Sequence, residues 1–61
     1  MSEFDRFEKA LLCHRNPSVD IYRSGGKAWV VVKNEVGVVL SMESAYSLST
    51  ALMLTCQNLE E

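Results

Sequence analysis

The chain has 61 residues, of which 48% are apolar, and it carries two cysteines and a net charge of −2. So short a chain buries only about 60% of its unfolded surface, and two cysteines exclude a disulfide-rich framework that would compensate. The slight acidic excess also argues against a nucleic-acid-binding domain that depends on bulk positive charge. The length predicts one domain, 1–61, and the high apolar content predicts that a partner covers its surplus apolar surface.

The first predicted element is an amphipathic helix from Glu3 to Arg15. Ser2 is a suitable N-cap residue, and Asp5 follows three positions later as a weak form of the capping box. Asn16-Pro17 ends the helix, because proline restricts the residue before it and lacks a backbone donor. The side chains that share one face at helical spacing are Phe4, Phe7, Leu11 and His14.

Three short strands follow, predicted as Val19–Arg23, Ala28–Lys33 and Val36–Leu40. The first alternates apolar and polar residues, and the second is a β-branched run without a breaker. A tight turn at Ser24–Lys27 separates them, since its paired glycines supply positive φ angles. Asn34-Glu35 is predicted as the second turn, which gives a three-stranded antiparallel meander.

Both faces of this predicted sheet are apolar. With two-residue turns, Ile21 lies opposite Val30, and Val30 lies opposite Val39. One face then carries Val19, Ile21, Ala28, Val30, Val32 and Val39, and the other carries Asp20, Tyr22, Trp29, Val31, Val36, Val38 and Leu40. A sheet with one face in water normally alternates apolar and polar residues. Either the two helices cover opposite faces, or both cover one face and a second subunit covers the other.

The last predicted element is one long helix, Ser41–Leu59, with Ser41 as its N-cap and Glu43 as the only charged residue within it. Its core stripe is predicted as Ala45, Leu48, Leu52, Cys56 and Leu59. Met42, Tyr46, Ala51 and Met53 widen the apolar arc to roughly 220°, against about 100° for an ordinary surface helix. Leu54 projects from the opposite side. The sequence therefore predicts a helix that is covered on more than one side.

The resulting α+β fold, in the order α-β-β-β-α, is predicted to form a homodimer. Surplus apolar surface on the long helix and on the Trp29 face of the sheet would be buried between copies or against another protein. The residues predicted for this dimer or partner interface are Tyr22, Trp29, Tyr46, Ala51, Met53 and Leu54.

No group of residues predicts catalysis, a metal site or a cofactor. Cys13-His14 and Cys56 resemble metal ligands, but the chain has no second histidine and no CxxC pair, so both cysteines are interpreted as buried structural thiols. Cys13 also lacks an acid that would orient His14 as its base. The Ser24–Lys27 segment leads into a strand, whereas phosphate-binding loops lead into a helix. The chain is therefore predicted not to be an enzyme.

The first hypothesis is a non-enzymatic interaction module, a homodimer that binds a larger protein and regulates or inhibits it. Inhibitors from phages and other mobile elements are often chains of this size.

The alternative is a small dimeric nucleic-acid-binding transcriptional regulator. Its basic hairpin edge would be formed by Arg23 and Lys27, with Arg15 at the same end of the sheet. No apolar run approaches the roughly 18 residues of a membrane span, and the charged N-terminus lacks an apolar signal core, so a cytoplasmic location is expected.

Overall fold

A computed structural model describes residues 2–60, apart from the side chain of Glu3. Its five elements are α1 (Glu3–Leu12), β1 (Ser18–Ser24), β2 (Lys27–Lys33), β3 (Val39–Ala45) and α2 (Leu48–Leu59). The strands form one antiparallel sheet in the order β1-β2-β3. This arrangement confirms the predicted α+β fold in the order α-β-β-β-α.

Helix α1 begins as predicted but ends earlier than expected. The hydroxyl of Ser2 accepts a hydrogen bond from the backbone N–H of Asp5, and the carboxylate of Asp5 accepts one from the N–H of Ser2, which forms a capping box. At the other end, the N–H of His14 bonds to the carbonyl of Leu11, three residues back, so the last turn tightens. Asn16 then takes a positive φ of 48°, and the predicted extension to Arg15 is wrong.

The first hairpin has the turn and the register that the sequence predicts. Gly25 and Gly26 have φ angles of 62° and 77°, the two positive values that a type I′ turn requires. Ile21 lies opposite Val30. This turn matches the right-handed twist of the strands on either side, and it fixes which residues of β1 and β2 share a face.

The second turn differs from the prediction of two residues, Asn34-Glu35. The side-chain oxygen of Asn34 accepts hydrogen bonds from the N–H groups of Val36 and Val38, at 3.0 and 2.9 Å, and this stabilises a longer loop. Gly37, with a φ of 91°, lies within that loop. Strand β3 therefore begins at Val39 instead of Val36.

The longer loop also moves the boundary between β3 and the last helix. Val30 lies opposite Glu43 and not opposite Val39, and Ser41 to Ala45 pair with β2 as a strand. The predicted helix Ser41–Leu59 is wrong over its first seven residues. The backbone N–H and carbonyl groups on one side of β2 need hydrogen-bond partners, and Ser41 to Ala45 supply them as a strand. The N-cap is Ser47, whose hydroxyl accepts from the N–H of Thr50 at 3.2 Å.

A β-bulge in β3 reverses the predicted orientation of two more residues. The register passes from Val32 opposite Ser41 to Lys33 opposite Val39, so Leu40 is an extra residue. Leu40 turns towards the core, and Val39 turns to the other face of the sheet. Sequence analysis had the reverse arrangement, with Val39 on the face of Val30 and Leu40 on the face of Trp29. Val36 and Val38, expected beside Trp29, lie exposed in the loop.

Both helices lie on one side of the sheet. Helix α2 packs on β3 and β2, and α1 packs on α2. The amide of Asn58 in α2 donates to the side chains of Ser41 and Glu43, which point to the same face as Val30 and Val32. No other element in residues 2–60 packs on the opposite face. The buried apolar core consists of Phe7, Ala10, Val30, Val32, Ala51, Leu52, Cys56 and Leu59.

An ion pair joins α1 to the end of α2. The guanidinium of Arg6 donates from Nη2 to Oε1 of Glu60 at 2.6 Å and from Nε to Oε2 at 3.0 Å. These bonds lower the pKa of Glu60 below its ordinary value and raise the pKa of Arg6. Because both groups are exposed to solvent, the pair contributes little to stability.

Candidate interaction surface on the open face of the sheet

The face of the sheet that points away from the helices is called the open face here. Side chains alternate across a strand, and directly paired residues of antiparallel strands point to the same side. The pairing of the three strands therefore defines its members. They are Ser18, Asp20, Tyr22, Ser24, Lys27, Trp29, Val31, Lys33, Val39, Met42 and Ser44.

Two aromatic rings lie side by side on the open face, one on β1 and one on β2. Tyr22 and Trp29 are cross-strand partners, and their rings are stacked with centroids 6.2 Å apart and planes 3° from parallel. The indole N–H of Trp29 donates to the backbone carbonyl of Ser24 at 3.1 Å. This bond and the stacking hold both rings in place, although Tyr22 remains exposed.

Apolar side chains continue from the aromatic pair along the sheet. Val31 follows Trp29 on the same face and is buried by its neighbours. Met42 lies opposite Val31 and is 53% exposed, and Val39 is also exposed. The apolar strip, defined as Tyr22, Trp29, Val31, Val39 and Met42, therefore runs across all three strands without a covering element in the described part of the chain.

Two lysines lie on either side of this strip, at the two ends of β2. Lys27 and Lys33 are the terminal residues of a seven-residue strand, so their backbones are about 20 Å apart. Of the carboxylates that the structure describes, only Asp20 lies on the open face. Although the chain as a whole carries a net charge of −2, this face is positive. Along β2, the open face is thus apolar in the middle and cationic at both ends.

Tyr46 joins the same surface at the end of β3. The amine of Lys27 lies 5.5 Å from the centroid of the Tyr46 ring, within cation–π range. Tyr46 is highly exposed and follows β3 directly, outside α2. Of the six residues predicted for an interface, Tyr22, Trp29 and Tyr46 therefore lie on or beside the open face.

The other three predicted interface residues lie elsewhere. Ala51 is completely buried in the core, so its predicted place in an interface is wrong; the side of α2 that carries it packs inside the chain. Met53 is exposed and Leu54 is half-buried. Both belong to α2, on the opposite side of the sheet from Trp29. The predicted interface residues therefore lie on two separate surfaces, the open face of the sheet and the exposed side of α2.

The predicted basic edge is also divided. Arg23 pairs with Ala28 and points to the helix side, whereas Lys27 pairs with Ser24 and points to the open face. Arg15 was expected at the same end, but it precedes β1, and its neighbour Asn16 bonds to Glu35 in the loop at the far end of the sheet. Because β1 separates Arg15 from the first hairpin, the three cations are not brought together.

The two cysteines occupy different environments. Cys56 is completely buried, as predicted, and burial raises the pKa of its thiol. Cys13 is exposed, because α1 ends before it, so its interpretation as a buried thiol is wrong. The Nε2 atom of His14 is buried without a hydrogen-bond partner in residues 2–60. Nowhere in that range do three or more His, Cys, Asp or Glu side chains gather as metal ligands.

Sequence reasoning missed several members of the open face. Lys33 follows Trp29 at strand spacing, so the period-two pattern of β2 contained the signal for it. Met42 and Ser44 were assigned to a helix, and Val39 was assigned to the wrong face. Their positions depend on the loop after Asn34 and on the bulge at Leu40, which no local pattern indicated.

Comparison of the chain with protein-family models, curated proteins and solved structures gave no match. Neither helix within residues 2–60 has the length and apolar content needed to cross a lipid bilayer. The open face, with its apolar strip and its charges, is the candidate functional surface of the described residues.

Proposed function

We propose that this chain is a non-enzymatic protein-interaction module that acts as a homodimer and binds a larger protein, which it regulates or inhibits. The observation that supports this proposal is the open face. An apolar strip crosses its three strands, and no helix in residues 2–60 covers it. Contiguous exposed apolar patches on small proteins commonly mark interaction sites.

The charges around the apolar strip indicate the chemistry of the partner. Lys27 and Lys33 lie at opposite ends of β2, with Trp29 and Val31 between them. A complementary surface is apolar in the middle and carries carboxylates about 20 Å apart, the length of roughly 13 residues of α-helix. We therefore propose that the partner contributes an amphipathic, acidic helix that lies along β2.

The side chains of the open face are held in fixed conformations, and this favours tight binding. The ring of Trp29 is fixed by its stacking on Tyr22 and by its hydrogen bond to Ser24, and Val31 is packed between neighbours. Side chains that are already ordered lose little conformational entropy when a partner binds. Aromatic residues of this kind often provide most of the binding energy of an interface.

A comparison of two lysine substitutions tests the open face. We expect Met42→Lys to weaken partner binding by tenfold or more, equivalent to about 1.4 kcal/mol, because it places a charge in a dry contact. Leu12→Lys, at a position 84% exposed on α1, is the matched control. Both variants should keep the wild-type free energy of unfolding. Affinity capture from extracts of the source organism, followed by titration of the purified partner, measures the difference.

Trp29, the only tryptophan in the chain, reports on the same event. Its fluorescence should shift to shorter wavelength when a purified partner covers the open face. A set of captured proteins that is the same for the wild type, Met42→Lys and Leu12→Lys would contradict the proposal. A partner that binds without changing the emission of Trp29 would also contradict it.

The second candidate is binding of single-stranded nucleic acid. It is favoured by the stacked pair Tyr22 and Trp29 beside Lys27 on a positive face, because exposed aromatic rings and cations together bind unpaired bases. We expect a single-stranded oligonucleotide to quench Trp29 at low salt, with an affinity that falls as salt rises. The double variant Lys27→Glu/Lys33→Glu should abolish the quenching. No quenching at low salt removes this candidate.

A further inference from the structure

Strand β1 has a free edge whose hydrogen-bonding groups can be assigned. In a two-residue hairpin the residues next to the turn, here Ser24 and Lys27, form a hydrogen-bonded pair. The direction of the backbone groups alternates along a strand. Val19, Ile21 and Arg23 therefore point their N–H and carbonyl groups away from β2, and these groups have no partner in residues 2–60.

The two edges of the sheet differ in how they are protected. The bulge at Leu40 interrupts the edge strand β3. Strand β1 pairs with β2 over seven residues without a shift in register. It contains no proline, which commonly blocks edge pairing, and its charged residues are Asp20 and Arg23. Ile21 lies on the helix side of β1 but is still 48% exposed, since α2 packs on β2 and β3. The free edge of β1 is thus regular and partly apolar.

We propose that two copies of this chain pair antiparallel through β1, with each Ile21 facing its counterpart across a two-fold axis. The proposal rests on the homodimer of the proposed function and names the surface that forms it. An axis perpendicular to the sheet keeps the helices of both copies on one side. Ile21 then bonds to Ile21 of the second copy, and Val19 bonds to Arg23 of the second copy.

This register is favoured over its two neighbours. Centring the pair on Ile21 gives every outward N–H and carbonyl group of Val19, Ile21 and Arg23 a partner. Centring it on Asp20 would place two carboxylates directly opposite each other, which is destabilising. Centring it on Tyr22 would place Val19 opposite the Gly25 turn, where no strand is available. The outward groups of β1 are therefore self-complementary around Ile21.

Edge pairing creates one continuous sheet from the two copies. Asp20 lies opposite Tyr22 of the second copy, so the two open faces join into a single larger surface on the side away from the helices. Pairing along one strand edge buries little surface. Interfaces that bury less than about 1,200 Å² are commonly weak or transient. We therefore expect a dimer that dissociates in the micromolar range.

Cysteine cross-linking tests the proposed register. In a hydrogen-bonded antiparallel pair the Cα atoms are about 5.5 Å apart, within the range that a disulfide requires. In a Cys13→Ser background, Ile21→Cys should form a covalent dimer under mild oxidation. Arg23→Cys is the matched control, because residue 23 of the second copy would lie about 13 Å away, four residues along the strand. We expect at least tenfold less covalent dimer from this control.

Sedimentation equilibrium supplies an independent readout. Ile21→Lys should raise the dissociation constant of the dimer at least tenfold, because two ammonium groups would meet at the axis. Ser44→Lys, which changes β3 by the same charge, should leave it unchanged. A wild-type chain that is monomeric throughout the micromolar range would overturn the proposal, as would equal cross-linking at residues 21 and 23. Met42→Lys should not affect the Ile21→Cys cross-link, so loss of partner capture and loss of edge pairing are separate results.

Discussion

We expect Leu52→Ala to lower the free energy of unfolding by about 2–5 kcal/mol, the range for deletion of a buried leucine side chain. Leu52 is completely buried and is one of the largest side chains in the core between α2 and the sheet. A 61-residue domain has a total stability on the order of 3–9 kcal/mol. This one substitution should therefore remove a large part of the stability, and urea denaturation followed by circular dichroism measures the loss.

Met53→Ala is the matched control for this substitution. Met53 is the next residue in the same helix, but it is exposed. Its replacement should change the midpoint of denaturation much less, because few apolar contacts are lost. Equal losses for Leu52→Ala and Met53→Ala would show that α2 is turned differently about its axis from the packing described above.

Ala51→Leu should destabilise the isolated chain by about 1–3 kcal/mol, because overpacking a closed core forces side chains and backbone to move. Ala51 is completely buried among the core residues, so a larger side chain would have to displace its neighbours. Its free energy of unfolding, measured in urea, should fall regardless of protein concentration.

Gln57→Leu serves as the control for Ala51→Leu, since Gln57 is exposed on the same helix. The added side chain at position 57 should leave the stability close to that of the wild type. If Ala51→Leu instead changed the dimer dissociation constant and left unfolding unchanged, Ala51 would lie in an interface, and its assignment to the core would be wrong.

Much of the fold could be predicted because several local signals agreed with one another. Ser2 with Asp5 marked the start of α1, and Gly25-Gly26 specified a turn that determined the register of the first hairpin. Once that register was known, the placement of Tyr22, Trp29 and Val31 on one face followed from strand alternation. These features depend on residues close together in sequence, so pattern reasoning could find them.

The boundary between β3 and α2 could not be predicted from local pattern. Residues Ser41 to Ala45 contain Met42 and Ala45 at helical spacing, and Ser41 is a good N-cap residue. Their strand conformation comes from pairing with β2, a tertiary effect that overrides the local preference. The side chain of Asn34 stabilises the longer loop and thereby sets the register.

The candidate surface was predicted in part for the same reason. Tyr22 and Trp29 were placed together by the first hairpin, whereas the contributions of Met42 and Val39 required the second register. The interface role of Tyr22, Trp29, Tyr46, Met53 and Leu54 stays a prediction. Met42→Lys tests the open face that carries Tyr22 and Trp29.

The alternation of side chains along β2 separates two kinds of selective constraint within one short segment. Ala28, Val30 and Val32 are buried in the core, whereas Trp29 and Lys33 lie on the open face, which we propose as the partner-binding surface. Saturation mutagenesis of this strand should show that folding tolerates substitutions of Trp29 and Lys33 better than substitutions of Ala28, Val30 and Val32. Under the proposed function, a change of target would need substitutions only on the open face of β2 and would leave its core residues unchanged.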